Sequence, residues 1–212
     1  MKDLPMFTTE KGVASIVLQE IPYSQTAYVI VRDTDRPREF AAECGDFCRA
    51  AGAERVYVKG YPGLEDLPYY TAIWKMEAAL SAIPELGAVC VPVTEETLAH
   101  WCEIYNRKMA SVPNTAHMGK HKKELILSGG CFVYKNEALL GIGMVSDGQI
   151  DAVASLVPGG GEKIVSALCH KLGKEKISLQ VALENEKAVW LYEKLGFGKQ
   201  CELGKWYKIF ER

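Results

Sequence analysis

The sequence predicts an α/β fold, more strictly α+β, in which helices flank a mixed and mostly antiparallel central sheet. Short runs of β-branched and aromatic residues, bounded by turn residues, recur along the chain and predict strands. Several of them are separated by longer segments with apolar residues at helical spacing. Beyond the middle of the chain, three predicted strands are joined by short turns alone, which is typical of antiparallel pairing.

Composition limits the function in a general way. The 212 residues carry a net charge of -2, with 48% apolar and 25% charged residues. This balance is ordinary for a globular protein and argues against a generally basic nucleic-acid binder. Seven cysteines without a spacing pattern favour reduced thiols, and no apolar stretch approaches the length of a membrane span. We therefore expect a soluble cytoplasmic protein, monomeric or homodimeric, with no nucleic-acid or membrane partner.

The first portion, residues 1–87, has the predicted order ββαβα. Its first two strands are separated by a short turn and are expected to pair antiparallel, whereas the helical crossovers favour a parallel pair later in the portion. Residues 84–87, which begin with Pro84 and end with Gly87, are expected to form the junction to the second portion. The predicted elements are strands at 13–18 and 26–32, a helix at 38–51 stopped by Gly52, a strand at 55–59 and a helix at 69–81.

The second portion, residues 88–212, opens with a short strand and a helix for which Thr94 is the expected N-cap. Asp147 and Gly148 give a strong hairpin signal between two of its strands. The predicted elements are a strand at 89–93, a helix at 94–109, a weakly helical segment at 118–127 and strands at 131–135, 138–146 and 149–157.

Pro158 is followed by three glycines, 159–161, and directly by a helix with Ile164 and Leu168 on its apolar face. A strand that runs into glycines at the start of a helix brings free amides and the positive helix end together, an arrangement that holds phosphate oxygens. The alternative is a simple flexible turn. Gly173 ends this helix, and a strand at 176–182 follows.

The stretch VALENEKAVWLYEKLGF, residues 181–197, reads as the end of a strand, a polar turn and an amphipathic helix that stops at Gly196. Asn185 is the expected N-cap of this helix. Ala188, Leu191, Tyr192 and Leu195 share one face, so the phenol of Tyr192 lies on the buried stripe, where it serves either packing or chemistry. A last strand is expected at 206–210.

Residues 88–212 resemble the GNAT superfamily of N-acetyltransferases. The stretch at 181–197 is similar to that superfamily's strand, Asn-led helix and terminal Leu-Gly-Phe. LVPGGGEKIVSAL, residues 156–168, stands where the superfamily keeps its coenzyme A pyrophosphate loop. The superfamily's loop usually has a Gln or Arg before spaced glycines; this stretch is shorter, lacks both, and has Lys163 where a glycine or alanine is expected.

The resemblance implies an N-acetyltransferase that moves the acetyl group of acetyl-CoA, bound as co-substrate without a metal, to a primary amine of a small molecule or peptide. Direct attack in a ternary complex is expected, with Tyr192 as the proton donor to the departing thiolate. The backbone of Leu156 and Val157 would pair with the pantetheine arm, and Asn185 and Ala188 would line its far side. Amides for the pyrophosphate would come from Gly159, Gly160, Gly161, Glu162 and Lys163.

The general base is open between Asp151, which begins the strand leading to the glycines, and Glu184, at the end of the neighbouring strand. Either carboxylate has the alternative of an ordinary surface or capping acid. His117 and His121 are spaced to share a metal if their segment is helical, but no nearby Cys or carboxylate completes a ligand set, and we interpret them as part of a solvated face. Cys44 and Cys48 look like core residues, and the basic run at 120–123 like a solvated patch.

Residues 1–87 resemble the later part of the same fold with its beginning lost. We expect a degenerate half-domain that packs against the second portion and shapes the acceptor cleft without binding a coenzyme. Two other functions remain open at this point: a catalytically silent acyl-CoA-binding or regulatory module, and a structural interaction protein.

Overall fold

The computed structural model describes residues 5–211 and contains two compact units. The first unit runs through Ala72 and takes up the chain again from Leu203, and the second comprises Ile73–Glu202. The strands are β1 (Met6–Thr9), β2 (Gly12–Val17), β3 (Thr26–Thr34), β4 (Arg55–Lys59), β5 (Tyr69–Ala79), β6 (Val89–Pro92), β7 (Gly130–Lys135), β8 (Ala138–Ser146), β9 (Gln149–Ser155), β10 (Lys176–Ala182) and β11 (Gly198–Glu211). The α-helices are α1 (Ile21–Ser24), α2 (Pro37–Ala50), α3 (Leu98–Met109), α4 (Lys123–Gly129), α5 (Gly161–Leu172) and α6 (Glu186–Lys194).

The first unit is a sheet in the order β1-β2-β3-β4-β11. Its pairs are antiparallel except β3 with β4, which are parallel and joined through α2, as the helical crossover predicts. The apolar face of α2, with Phe40, Cys44 and Cys48, packs on valines and alanines of the sheet. Burial of this face fixes the helix on the sheet.

The second unit is a sheet in the order β5-β10-β9-β8-β7-β6, with helices on both faces. Its pairs are antiparallel except β9 with β10, which are parallel and joined through α5. One core contains residues of α5 and α6, and the other contains residues of α3 and α4. The mixed, mostly antiparallel sheet flanked by helices is therefore confirmed, as is the hairpin at Asp147 and Gly148, where both residues have positive φ.

One predicted element is wrong. Residues 69–81, expected to form a helix, are the strand β5 and a short 3-10 turn at Leu80–Ala82. Seven residues of β5, Ile73–Ala79, pair with Lys176–Ala182 of β10. The alanines, Met76 and Glu77 of this segment suit a helix locally, but pairing with a strand a hundred residues away decides its structure. The last element of the predicted ββαβα order is therefore a strand and not a helix.

The same strand explains why the compact units differ from the expected division at residues 87 and 88. Residues 73–87 belong to the second unit, because β5 is an integral strand of its sheet. Residues from 203 onward belong to the first unit, because β11 pairs there with β4. The first unit thus contains a strand from the far end of the sequence, whereas the second unit is one continuous stretch of chain.

Several boundaries also differ from expectation. Helix α3 begins at Leu98 rather than 94, because Thr94 and Thr97 hydrogen-bond to one another in a preceding turn. Asn185 does occupy the N-cap position of α6, but without a side-chain capping bond; its carbonyl accepts the amides of Ala188 and Val189. The weakly helical segment is a 3-10 turn at Lys120–Lys122 followed by α4. Strand β1 was not predicted.

None of the helices within residues 5–211 has both the length and the apolar character that crossing a membrane would require.

Candidate active site

A cleft of about 570 Å³ lies in the second unit, where β9 ends and α5 begins. One side is the end of β9 and the glycine turn, and the other side is the outward face of α6. Its lining residues are Ser155, Val157, Gly159, Gly161, Glu162, Glu186, Lys187, Trp190 and Leu191. This volume falls in the range of small-molecule sites.

The divergence of two parallel strands opens this region. Within the described residues, the pairing of β9 with β10 is confined to Gln149↔Ser178 and Ile150↔Leu179. The rest of β9 pairs on its other side with β8 and continues to Leu156, whose amide donates to the Leu140 carbonyl at 2.8 Å. Because successive residues of a strand direct their backbone groups to opposite sides, those of Ser155 point to the β10 side. An extended ligand can therefore approach this edge.

The glycine turn is tight and ordered by hydrogen bonds. The Ser155 hydroxyl donates to the Val157 carbonyl at 2.7 Å, and the Gly160 amide donates to the same carbonyl at 3.1 Å. Gly159 has a φ of +71°, a conformation that favours glycine. The first regular bond of α5 is from the Ile164 amide to the Gly160 carbonyl, so the preceding amides of the first turn are available to a ligand.

Helix α6 approaches the start of α5 closely. A β-carbon added at Gly161 would lie 2.8 Å from Leu191 Cδ2. The Glu162 carboxylate in the first turn of α5 forms an ion pair with Lys194 in the last turn of α6. The ammonium of Lys194 also lies 5.3 Å from the ring centroid of Trp190. These contacts join the two helices at the mouth of the cleft.

Tyr192 lies in the core that contains residues of α5 and α6, and it is 8% exposed. Its ring packs edge-on against Phe197, with centroids 5.9 Å apart. Burial raises the pKa of Tyr192 to about 12, and the nearby Cys169 adds a smaller contribution. The phenol is thus neutral at ordinary pH and remains able to donate a proton. Its neighbour Leu191 lines the cleft, whereas Tyr192 does not.

The predicted coenzyme-binding residues are partly brought together. Val157, Gly159, Gly161 and Glu162 line the cleft. Leu156 and Gly160 belong to the same turn but are not in the lining, and Lys163 follows in the first turn of α5. Ala188 packs toward the α5–α6 core, and Asn185 lies at the start of α6; neither is in the lining.

Neither predicted base lies in the lining of the cleft. The Asp151 carboxylate accepts hydrogen bonds from Ser146 Oγ at 2.6 Å and from Gln149 Nε2 at 2.7 Å. At about 3.3 Å per residue, its place on β9 is about 13 Å from Ser155 along the strand. Glu184 is exposed in the turn between β10 and α6. The structure gives Asp151 the hydrogen bonds of a strand-end acid.

The histidine pair and the cysteine pair noted in the sequence form neither a metal site nor a reactive thiol site among the described residues. No group of His, Cys, Asp and Glu suited to holding a metal ion occurs in the part of the chain that the structure describes. The rings of His117 and His121 are stacked, with their centroids 6.5 Å apart. Cys44 and Cys48 lie on the buried face of α2, and burial raises the pKa of each to about 12. Those two thiols are therefore protonated and poor nucleophiles.

Five lining residues were missed from the sequence: Ser155, Glu186, Lys187, Trp190 and Leu191. Glu186, Lys187 and Trp190 are exposed positions of α6. Their common signal is that they lie off the apolar stripe of the helix although they belong to the 181–197 stretch that carries the resemblance. Trp190 is the clearest case, because it combines a large apolar ring with a place off the apolar stripe of the helix.

Comparison with solved structures places the fold. The chain matches a conserved protein of unknown function from Staphylococcus epidermidis at 12% identity and a TM-score of 0.61, over 97% of this chain and 93% of that one. It also matches a GCN5-related N-acetyltransferase from Sphaerobacter thermophilus at 15% identity and a TM-score of 0.54, over 92% of this chain and 74% of that one. The protein has a GNAT-like fold.

A tandem GNAT protein from the clavulanic acid biosynthesis pathway is also similar, at 14% identity and a TM-score of 0.54, over 93% of this chain and 78% of that one. No family profile and no curated protein sequence matches the chain. At these identities the likeness establishes the GNAT-like fold, so that the function has to be argued from the site itself.

Proposed function

We propose that the protein is a cytoplasmic N-acetyltransferase that transfers the acetyl group of acetyl-CoA to a primary amine of a small molecule or peptide. The observation that carries the proposal is the cleft between the glycine turn and α6. It combines first-turn helix amides, a diverging strand edge and a volume suited to a ligand, in a fold shared with N-acetyltransferases.

The coenzyme would be held by backbone and side chains together. The first-turn amides of α5 and the positive end of its dipole suit the pyrophosphate oxygens, and Lys187 adds a positive charge from α6. The pantetheine arm would follow the β9 edge near Ser155 and Val157, adding to the sheet as a short extended segment. The Leu156 amide is engaged with Leu140, so we assign it no contact with the arm.

The chemistry follows direct attack. The neutral amine forms a bond to the thioester carbonyl carbon, and the carbon–sulfur bond breaks. The departing thiolate takes a proton, for which we propose Tyr192, whose phenol is neutral to well above physiological pH. The proton released by the amine passes to water or to a carboxylate of the site. No metal is required for these steps.

A second candidate is a catalytically silent acyl-CoA-binding module. Two observations favour it: Tyr192 is packed in the core rather than on the cleft wall, and the carboxylate of Glu162 stands at the turn where phosphate would bind. Either function requires the coenzyme to bind in the same cleft.

We also propose that the first unit binds no coenzyme. Its corresponding helix, α2, begins with Pro37, which has no amide to offer, and the preceding segment contains no glycine. Calorimetry should accordingly give one site per chain.

The experiment has two stages. Titration calorimetry with acetyl-CoA comes first, and an absence of heat at millimolar coenzyme would contradict both candidates. If acetyl-CoA binds, a thiol-release assay over a panel of primary amines separates them. Turnover with any amine supports the transferase, whereas binding without turnover across the panel supports the silent module.

A further inference from the structure

Trp190 is an unusual residue for an amphipathic helix. It exposes 62% of its surface although it carries one of the largest apolar side chains. It lines the cleft together with Val157, which is also exposed, on the opposite wall. Aromatic side chains are among the usual lining residues of ligand sites, so the open face of this ring is suited to ligand contact.

The indole ring is held in place from one side. Lys194, one helical turn further along α6, places its ammonium 5.3 Å from the ring centroid, and the same ammonium is ion-paired with Glu162 of α5. Lys194 itself is not in the lining of the cleft. The lysine therefore covers ring surface outside the cleft and leaves the remaining ring surface to a ligand within it.

We propose that Trp190 stacks on the adenine ring of coenzyme A, so that α6 binds the nucleotide end of the donor. This inference rests on the proposed function, because it assumes that the coenzyme occupies the cleft. It deepens that function by assigning base recognition to Trp190, a residue of the 181–197 stretch to which the sequence assigns no contact with the coenzyme.

The position of Trp190 selects the nucleotide end rather than the acyl end. Gly161 and Glu162, at the start of α5, and Lys187 on α6 line the same cleft and provide the amides and the positive charge for phosphate groups. The pyrophosphate joins adenosine on one side and the pantetheine arm on the other, and the arm is assigned to the β9 edge, so that adenosine is left for the α6 side of the cleft. A planar indole beside the phosphate position therefore meets the purine.

Stacking also offsets a weakness of the glycine turn. The turn is short and contains no Arg or Gln to grip the pyrophosphate, and the Glu162 carboxylate opposes an anion there. Base stacking does not depend on charge and is little affected by that carboxylate. We therefore expect the nucleotide to contribute to affinity chiefly through its ring.

The test compares two ligands on matched variants. Calorimetry measures the binding of coenzyme A and of pantetheine, which lacks the nucleotide, to wild type, Trp190→Ala and Trp190→Phe. Trp190→Ala should weaken coenzyme A binding about tenfold, within the range measured for base stacking on aromatic side chains, and leave pantetheine unchanged. Trp190→Phe should recover most of the loss. Glu193→Ala, an exposed change on the same helix, serves as the control and should alter neither ligand.

Intrinsic fluorescence gives an independent measurement. Adenine stacked on an indole quenches its emission, so coenzyme A should quench wild type more strongly than Trp190→Phe. Because Trp190 is exposed, both variants should keep the wild-type melting temperature, which excludes misfolding as the cause of lost affinity.

The outcomes distinguish a failure of the Trp190–adenine contact from a failure of the proposed function. If wild type binds no coenzyme A, the proposed function fails and this inference fails with it. If wild type binds coenzyme A but Trp190→Ala loses affinity equally for pantetheine, or loses none for either ligand, the adenine contact is wrong while the coenzyme site stands.

Discussion

Gly161 lies so close to Leu191 that a β-carbon at position 161 would come within 2.8 Å of Leu191 Cδ2. The two residues stand on the first turn of α5 and the middle of α6, and both line the cleft. The glycine thus sets the distance at which the two helices meet beside the presumed phosphate position. Any larger residue moves either the Leu191 side chain or the helix that carries it.

Gly161→Ala should weaken acetyl-CoA binding while leaving the fold largely intact. The atom it meets is the end of a flexible side chain, so we expect the free energy of unfolding to change by less than about 1 kcal/mol. The displaced Leu191 methyl should intrude on the cleft and raise the Kd about fivefold, equivalent to about 1 kcal/mol. Calorimetry and thermal melts measure the two quantities.

The matched control is the double variant Gly161→Ala with Leu191→Ala, which removes the displaced side chain. Its affinity should return toward that of Leu191→Ala alone. If the alanine at 161 weakens binding equally with and without Leu191, the loss has another origin.

Glu162→Gln should strengthen coenzyme binding. The carboxylate of Glu162 stands in the first turn of α5, beside the amides proposed for the pyrophosphate, and Lys194 only partly neutralises it. Removing one negative charge there should lower the Kd about threefold at low salt, and less at high salt because screening weakens the repulsion. The ion pair is partly exposed, so its loss should cost at most about 1 kcal/mol of folding free energy.

Glu193→Gln provides the control for charge alone. Glu193 is on the exposed face of α6 and pairs with Lys199 at 3.2 Å, away from the cleft lining. An equal gain in affinity for Glu193→Gln and Glu162→Gln would show that net charge, and not the position of Glu162, is responsible.

Tyr192→Phe should lower the transfer rate and spare coenzyme binding. Phenylalanine keeps the ring that packs on Phe197 and removes the proposed proton donor. We expect kcat to fall about a hundredfold, in the range of general acid catalysis, with an unchanged Kd for acetyl-CoA. A wild-type rate in the variant would remove Tyr192 as the acid.

The alkaline stability of the protein should also depend on Tyr192. Its pKa is raised by burial to about 12, above the ordinary value, so the folded state favours the protonated phenol. This stabilisation is complete below about pH 10 and is lost as the pH rises through the folded pKa. Wild type should therefore lose stability between about pH 10 and 12 in a way that Tyr192→Phe does not. The difference in melting temperature, variant minus wild type, should increase over that range. A constant difference across that range would show that the phenol is not buried in solution.

A fragment of residues 73–202 should fold, and a fragment of residues 88–212 should not. The first fragment contains every strand of the second unit, including the part of β5 that pairs with β10. The second lacks that strand and leaves the seven paired residues of β10 as an open edge, which favours aggregation. Circular dichroism with thermal melts and size-exclusion chromatography distinguish the two results. Equally cooperative melts for both fragments would contradict this account of the second unit.

Much of the second unit could be predicted from its sequence, because its signals are local. The helix boundaries at Gly173 and Gly196, the hairpin at Asp147 and Gly148 and the glycine turn before α5 follow from backbone chemistry within a few residues. The GNAT-like fold was accessible for the same reason, since its most specific stretch is continuous in sequence.

The remaining features depend on partners that are distant in sequence. Strand β5 resembles a helix until β10 is placed beside it. Trp190 resembles any residue of an amphipathic helix until the glycine turn is placed opposite. The helical spacing places Tyr192 on the inner face of α6, but only the structure shows that its ring packs edge-on against Phe197. Local periodicity identifies the inner face of a helix but cannot distinguish a cleft from a core on that face.

The chain leaves the first unit after Ala72 and returns to it at Leu203, and this path also sets an order of folding during synthesis. The first unit needs residues 203–211 of β11 to cover the edge of β4, although the rest of it is made first. The second unit can complete its sheet once β10 has left the ribosome, since β5 is already available. We therefore expect the later-made unit to fold first, while the earlier-made residues wait with an exposed strand edge for a chaperone or for residues 203–211.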